Sequence, residues 1–280
     1  MREILVDEII SNIKEMCIEA NYFVSNDIIS AIQESTIKEK SPIGKEILSQ
    51  IQENASIAKE KKMPMCQDTG MAVVFCEIGQ EVHVIGDNIT NAINEGVRRG
   101  YKDGFLRKSV VKDPFNRENT NDNTPAIIHY DIVEGDKIKI TVAPKGFGSE
   151  NMSKITMLKP ADGIDGAKQA IITAVEQAGG NACPPMVVGV GIGGTFEKAA
   201  LLSKKALIRP INERSSSEYV KDMEEELLYK INKLGIGPGG LGGITTALAV
   251  NIETYPTHIA GLPVAVNISC HATRHVTRTI

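Results

Sequence analysis

Cys183-Pro184-Pro185-Met186-Val187-Val188-Gly189-Val190-Gly191-Ile192-Gly193-Gly194-Thr195 is the stretch on which the fold class turns. Its apolar run, Met186–Val190, lies between a Pro-Pro pair and a glycine-rich exit and has the length of a buried strand. A helix is expected near Phe196–Ala206 on one side and another near Ile164–Gln177 on the other, with an acidic helix over Ser216–Lys233. Gly235-Ile236-Gly237-Pro238-Gly239-Gly240-Leu241-Gly242-Gly243 holds six glycines in nine residues, which favours neither helix nor strand, and a strand over Ile244–Ile252 follows. Upstream, Met71–Ile78 reads as a buried strand, and Asn88–Arg99 as a helix capped by Asp87. Ala126–Val133 and Lys137–Ala143, separated by Glu134-Gly135-Asp136, read as a β-hairpin. In the first sixty residues, Leu5, Ile9, Ile13, Met16, Ile28 and Ile32 recur at helical spacing, and Pro42 opens a further helix. The class is mixed α/β (α+β), a helical amino-terminal region followed by strands and helices. With no internal repeat and no long linker, residues 1–280 are expected to form one domain.

At 280 residues, 42% hydrophobic and 24% charged, the chain can bury a sizeable core. A formal charge of −4 and no basic stripe interleaved with aromatics exclude phosphate-backbone binding, so no nucleic-acid partner is expected. The amino terminus places Glu3, Asp7 and Glu8 where a signal peptide needs an apolar core. No window approaches the ~18 apolar residues of a membrane span. A cytoplasmic, reducing location is the expectation.

There the five cysteines are not a disulfide framework. Cys17 falls in register with Ile10 and Ile13 on a helix, and Cys76 lies inside an apolar strand; both read as small buried hydrophobes. Cys66 in PMCQDTG, Cys183 in NACPP and Cys270 in NISCHA sit instead at element boundaries among polar and turn residues. Spacing alone leaves these three either unrelated thiols or metal ligands. The absence of Cys-x-x-Cys counts against a zinc ribbon and a ferredoxin.

The segments PMCQDTG (64–70), GFGSEN (146–151), CPPMVVGVGIGGT (183–195), GIGPGGLGG (235–243) and THIAGLPVAVNISCHATR (257–274) resemble, in order, the cluster-binding part of class I iron–sulfur fumarases and the α subunit of L-tartrate dehydratase. The resemblance implies strands and helices around a glycine-rich, cluster-binding cavity. It implies a [4Fe-4S] cluster on Cys66, Cys183 and Cys270, leaving one iron without a thiolate as an open Lewis acid. It implies Gln67, Arg107 and Gly148 as substrate neighbours, with Asp68 and His258 as candidate catalytic groups. Arg107 suits a carboxylate because its planar fork binds two oxygens. Gly146-Phe147-Gly148-Ser149 suits an anion-binding nest of backbone amides. Asp68 either accepts a proton or orients water and Gln67. The reaction implied is hydration of fumarate to malate, or the corresponding step on L-tartrate or mesaconate, in the cytoplasm. The general base is expected on a separate β subunit, in an α₂β₂ assembly, because only ten residues follow the third cysteine.

Two other readings compete. Gly189–Gly194 fits the G-x-G-x-x-G of a NAD-binding oxidoreductase, but the acidic residue about twenty positions on, Glu213, follows Arg209-Pro210-Ile211-Asn212 rather than ending a strand. The resemblance uses the same glycines for close packing. The other reading is a non-catalytic iron–sulfur assembly or sensing module.

Overall fold

The computed structural model describes residues 1–280, which gather into two compact units. The helical opening is as expected: α1 (Val6–Tyr22), α2 (Asn26–Lys38) and α3 (Pro42–Lys61), with α3 beginning at Pro42, whose missing N–H costs nothing in a first turn. A short strand before them, β1 (Arg2–Leu5), was not anticipated; it pairs in parallel with β3 (Val82–Ile85).

The first unit comprises Met1–Val24, Ala55–Phe147 and Arg274–Ile280. Its four-stranded sheet runs β10 (Val276–Thr279), β5 (Ile138–Lys145), β2 (Met71–Gly79), β4 (Ile127–Val133). The expected hairpin is therefore corrected: β4 and β5 exist, but β2 lies between them, parallel to β4 and antiparallel to β5. The physical reason lies at the connection, whose backbone bonds to residues 79–81 and not across itself: Gly79 N–H to Lys137 C=O, Gln80 N–H to Val133 C=O and Glu81 N–H to Gly135 C=O. The most apolar strand thereby takes the centre. Ala72, Val74 and Cys76 share one face of β2 with Ile138, Ile140 and Val142 of β5. Against that face pack α1, through Ile9, Ile13 and Met16, and α4 (Ile89–Asp103), through Ile93, Val97 and Tyr101. The cap of α4 is Asn88, whose side chain accepts from Thr90 N–H; Asp87 instead accepts from Asn88 N–H and Asn91.

The second unit comprises Ser25–Asn54 and Gly148–Thr273. Its sheet runs β6 (Lys154–Leu158), β9 (Leu262–Ser269), β7 (Met186–Gly193), β8 (Ala247–Tyr255). β8 is parallel to β7 and begins three residues later than expected; β9 is antiparallel to β7. Val188 and Val190 of β7 face the core made with Ile171 and Val175 of α6 (Gly163–Ala178) and Met223 and Leu227 of α8 (Glu218–Asn232). The alternate positions, Gly189 and Gly191, face α7 (Phe196–Ala206). A Cβ on Gly189 would stand 2.2 Å from the carbonyl oxygen of Ser203, and one on Gly191 would stand 2.1 Å from that of Ala199. These glycines let the helix backbone rest directly on the strand. They lie within β7, whereas a dinucleotide fingerprint needs its glycines in the strand-to-helix turn.

Candidate functional site

In the first unit, the turn between α3 and β2 carries Cys66, Gln67 and Asp68. The Asp68 N–H donates to Cys66 Sγ at 3.4 Å, and the Cys66 thiol reaches Gln67 Oε1 at 3.6 Å. Asp68 is held on every side. Its Oδ1 accepts from Gly70 N–H at 3.1 Å and its Oδ2 from Phe147 N–H at 2.8 Å, while its carbonyl accepts from Arg274 Nη2. The next two carbonyls, of Thr69 and Gly70, accept from the Tyr101 hydroxyl at 2.8 and 3.1 Å, and Gly70 also accepts from Asn123 Nδ2 at 3.1 Å. Burial pushes the Tyr101 phenol up, so it remains a donor throughout the physiological range. Three consecutive carbonyls are thus fixed by side chains from three other segments, while Gln67 stays exposed.

Arg107 follows α4 in an exposed loop, and its carbonyl accepts from Thr69 Oγ1 at 3.1 Å, which ties it to the same turn. Its guanidinium makes no bond within the chain. Of the two roles open to Asp68, this geometry supports orienting, because both carboxylate oxygens are engaged by backbone amides. Phe147 N–H is one of those amides, and residues 147–150 wind into a short helix, α5, so the amide nest expected there is reduced.

In the second unit, Cys183 precedes β7 and Cys270 follows β9, and these strand ends are neighbours, Val187 pairing with Ser269. The Cys183 carbonyl accepts from His271 N–H at 3.4 Å and lies 3.1 Å from His271 Nδ1. Cys183 has left-handed backbone, φ 53°, a conformation uncommon outside glycine and one that marks a site worth testing. The glycine-rich segment 235–243 supports it: all six of its glycines have positive φ, and Gly239 N–H donates to the carbonyl of Pro184 at 2.9 Å. The far end of that segment is held by buried Glu39, whose carboxylate accepts from Ile244 N–H and Thr245 N–H, both at 3.0 Å, and from Lys40 N–H at 2.9 Å. Burial alone would raise the Glu39 carboxyl, but the amides of Ser41, Ile244 and Lys40 outweigh it and hold the group below its ordinary value.

Gly148 belongs to the same edge: α5 is tied there by Glu150, which accepts from Asn267 near the end of β9 at 3.0 Å. Gly148 is exposed and nothing lies within 4 Å of where its Cβ would be. His258 is not brought to this edge. It lies in the exposed turn between β8 and β9, and Tyr255, at the end of β8, pairs with Gly193, the far end of β7 from Cys183. A strand of eight residues separates the two edges, on the order of 20–25 Å at ~3.3 Å per residue. His258 Nδ1 accepts from Ala260 N–H within its own turn.

The chemistry of the thiols separates them as expected. Burial pushes both Cys17 and Cys76 up to about 12, helped at Cys76 by the Glu77 charge, so neither is a thiolate at neutral pH. Cys66, Cys183 and Cys270 are partly or fully exposed. No three His, Cys, Asp or Glu side chains converge closely enough to grip a single ion. A cubane takes one thiolate per corner iron, and an N–H donor to a ligand sulfur, such as Asp68 supplies to Cys66, suits it. The donor set fits such a cluster. Sequence reading passed over Tyr101, Asn123, Glu39 and Arg274. Of these only Arg274 lay inside a quoted segment, and Asn123 alone carried a local sign, an Asn in a polar turn before Pro125.

Residues 10–279 match the family model described as fumarate hydratase (Fumerase). The chain is 46% identical over 233 residues to a putative L(+)-tartrate dehydratase subunit alpha of Methanocaldococcus jannaschii, covering 81% of each chain. It is 33% identical over 228 residues to the L(+)-tartrate dehydratase subunit alpha of Escherichia coli strain UTI89, covering 80% of this chain and 75% of that one. No helix is long and apolar enough to cross a membrane.

Proposed function

Since the chain belongs to the fumarate hydratase (Fumerase) family and is a hydro-lyase, we infer that it is a cytoplasmic α subunit that reversibly hydrates fumarate to malate with a separate β subunit, its residues 1–280 acting as one cluster-binding domain. Cys66, Cys183 and Cys270 would hold the [4Fe-4S] cluster, which when bound supplies an open Lewis acid for a substrate hydroxyl and carboxylate. The observation that carries this reading is the sorting of the thiols. Two buried cysteines are chemically silent, and three stand at rigid turns, with the Cys183 and Cys270 turns hydrogen-bonded through His271.

Around the cluster the chain's own residues bind and orient. The unpaired guanidinium of Arg107 takes one substrate carboxylate through two parallel hydrogen bonds. The Gln67 amide, exposed beside the Cys66 ligand, and the open backbone at Gly148 contact the same dicarboxylate. Asp68 holds Cys66 through its N–H, and its carboxylate fixes the turn on Gly70 and Phe147. His258 lies a strand's length from Cys183 and Cys270 in the same sheet. The group that removes the proton from the carbon next to the leaving hydroxyl lies on the β subunit, in an α₂β₂ assembly. The relatives' designation as alpha subunits supports such a partner.

The same relatives favour a second reading, L-tartrate as substrate, which differs from malate by one hydroxyl. The test is anaerobic reconstitution of the chain with and without its β subunit, followed by a panel of fumarate, L-tartrate and mesaconate. Turnover of fumarate that requires the β subunit is the expected result. Preferred turnover of L-tartrate establishes the second reading, and full activity without the β subunit refutes the divided site.

A further inference from the structure

Arg274 is 7% exposed, and its guanidinium carries a full charge at any physiological pH. Of its five N–H donors, the chain engages one group: Nη2 donates to the Asp68 carbonyl, while Nε is buried without any partner. No carboxylate lies within ion-pairing distance of it, and the nearby Asp68 carboxylate is already committed to Gly70 and Phe147. A buried cation without a counter-charge costs several kcal/mol unless an anion completes it. The chain supplies none. The carbonyl Arg274 holds belongs to the residue whose N–H holds Cys66 Sγ, so the charge sits one peptide unit from a proposed cluster thiolate.

We propose that Arg274 is a positioning residue that serves as the fixed counter-charge of the cluster. It locks the Cys66–Gly70 turn and offsets the negative charge of the thiolates and the cubane they hold. The inference rests on the cluster reading above. A fixed positive charge close to an iron–sulfur cluster favours its reduced form, because net charge is one of the terms that set the potential. Lysine keeps the charge and loses the fork; glutamine keeps polarity and loses the charge; methionine fills the volume with neither. Tyr101→Phe removes a hydrogen bond from the same turn and leaves the charge untouched.

The experiment is an anaerobic redox titration of the reconstituted αβ enzyme, following the reduced cluster by electron paramagnetic resonance, with iron content, thermal unfolding and KM measured on the same samples. Arg274→Gln is expected to move the midpoint to more negative potential, and Arg274→Lys and Tyr101→Phe to leave it near the wild-type value. Arg274→Met carries the comparison if the glutamine variant does not fold. A wild-type cluster whose midpoint is the same in the charge-free variants overturns the proposal alone. The same unmoved midpoint with a KM raised tenfold or more, a gap of about 1.4 kcal/mol, assigns Arg274 to a substrate carboxylate instead and also overturns it. A wild-type enzyme that takes up no cluster overturns both this proposal and the reading beneath it.

Discussion

Replacing Gly191 by alanine separates the two uses that Gly189–Gly194 suggested. The added Cβ would stand 2.1 Å from the Ala199 carbonyl oxygen, against 3.4 Å for the near limit of ordinary contact, so α7 must retreat by the difference, 3.4 − 2.1 = 1.3 Å. The nearest atoms include the backbone oxygen of Ala199 and the backbone nitrogen of Ser203, and these cannot swing aside as a flexible side chain can. Overpacking of this kind costs about 1–3 kcal/mol, and the rigid obstacle places Gly191 at or beyond the upper end. Against this, the alanine stiffens the unfolded chain, and φ at Gly191 is not in the left-handed region, which returns about 0.4–1 kcal/mol. The net expectation is a loss of about 2–3 kcal/mol. At about 2–4 °C per kcal/mol, the melting temperature should fall by roughly 5–10 °C. Circular dichroism melts of the apo chain, without the added stability of a bound cofactor, give the measurement. NAD(H) titration of wild type, monitored by fluorescence, should show no micromolar binding. A variant that melts within about 1 °C of wild type, taken with NAD(H) binding that the substitution abolishes, would refute close packing and reinstate the dinucleotide site.

The remaining predictions concern the site. Cys66→Ser, Cys183→Ser and Cys270→Ser should each lose the cluster after anaerobic reconstitution while Cys17→Ser and Cys76→Ser keep it, and full iron content in any of the first three would remove that ligand. In the apo chain near pH 8, iodoacetamide should label those three and spare Cys17 and Cys76, whose buried thiols ionise only near pH 12; labelling of either buried thiol with the chain still folded would contradict the burial argument. Arg107→Lys should lower kcat/KM by about ten- to a thousandfold, ~1.4–4 kcal/mol, because a point charge does not replace the fork; steady-state kinetics within twofold of wild type would take Arg107 out of the substrate site. Gly148→Ala should fold as wild type, since nothing lies within 4 Å of the new methyl, yet raise KM where that methyl meets substrate; an unchanged KM would place substrate elsewhere.

Whatever depends on a few consecutive residues was legible in the sequence. Helical spacing located α1, α2 and α3, and Phe196–Ala206 agrees with α7 residue for residue. The setting of Cys17 and Cys76 in apolar registers already marked them as core, because a residue's face in a helix or strand follows from spacing alone. The crowding of glycine over 235–243 announced an irregular turn for the same local reason, and all six positive φ values answer it. Strand partners are another matter, since pairing is settled by competition among distant segments. The short link Glu134-Gly135-Asp136 suggested a hairpin, yet the connection bonds to residues 79–81 and β2 lies between β4 and β5. Distance along the chain is likewise no guide to distance in space: His258 is only twelve residues from Cys270, but β9 is extended and carries them to opposite ends of the strand. The residues that hold the Cys66 turn, Tyr101, Asn123 and Arg274, come from three separate segments and carry no common local pattern. Their convergence on three consecutive carbonyls exists only once the chain has folded, because a backbone oxygen has no identity in the sequence until the structure chooses its donor.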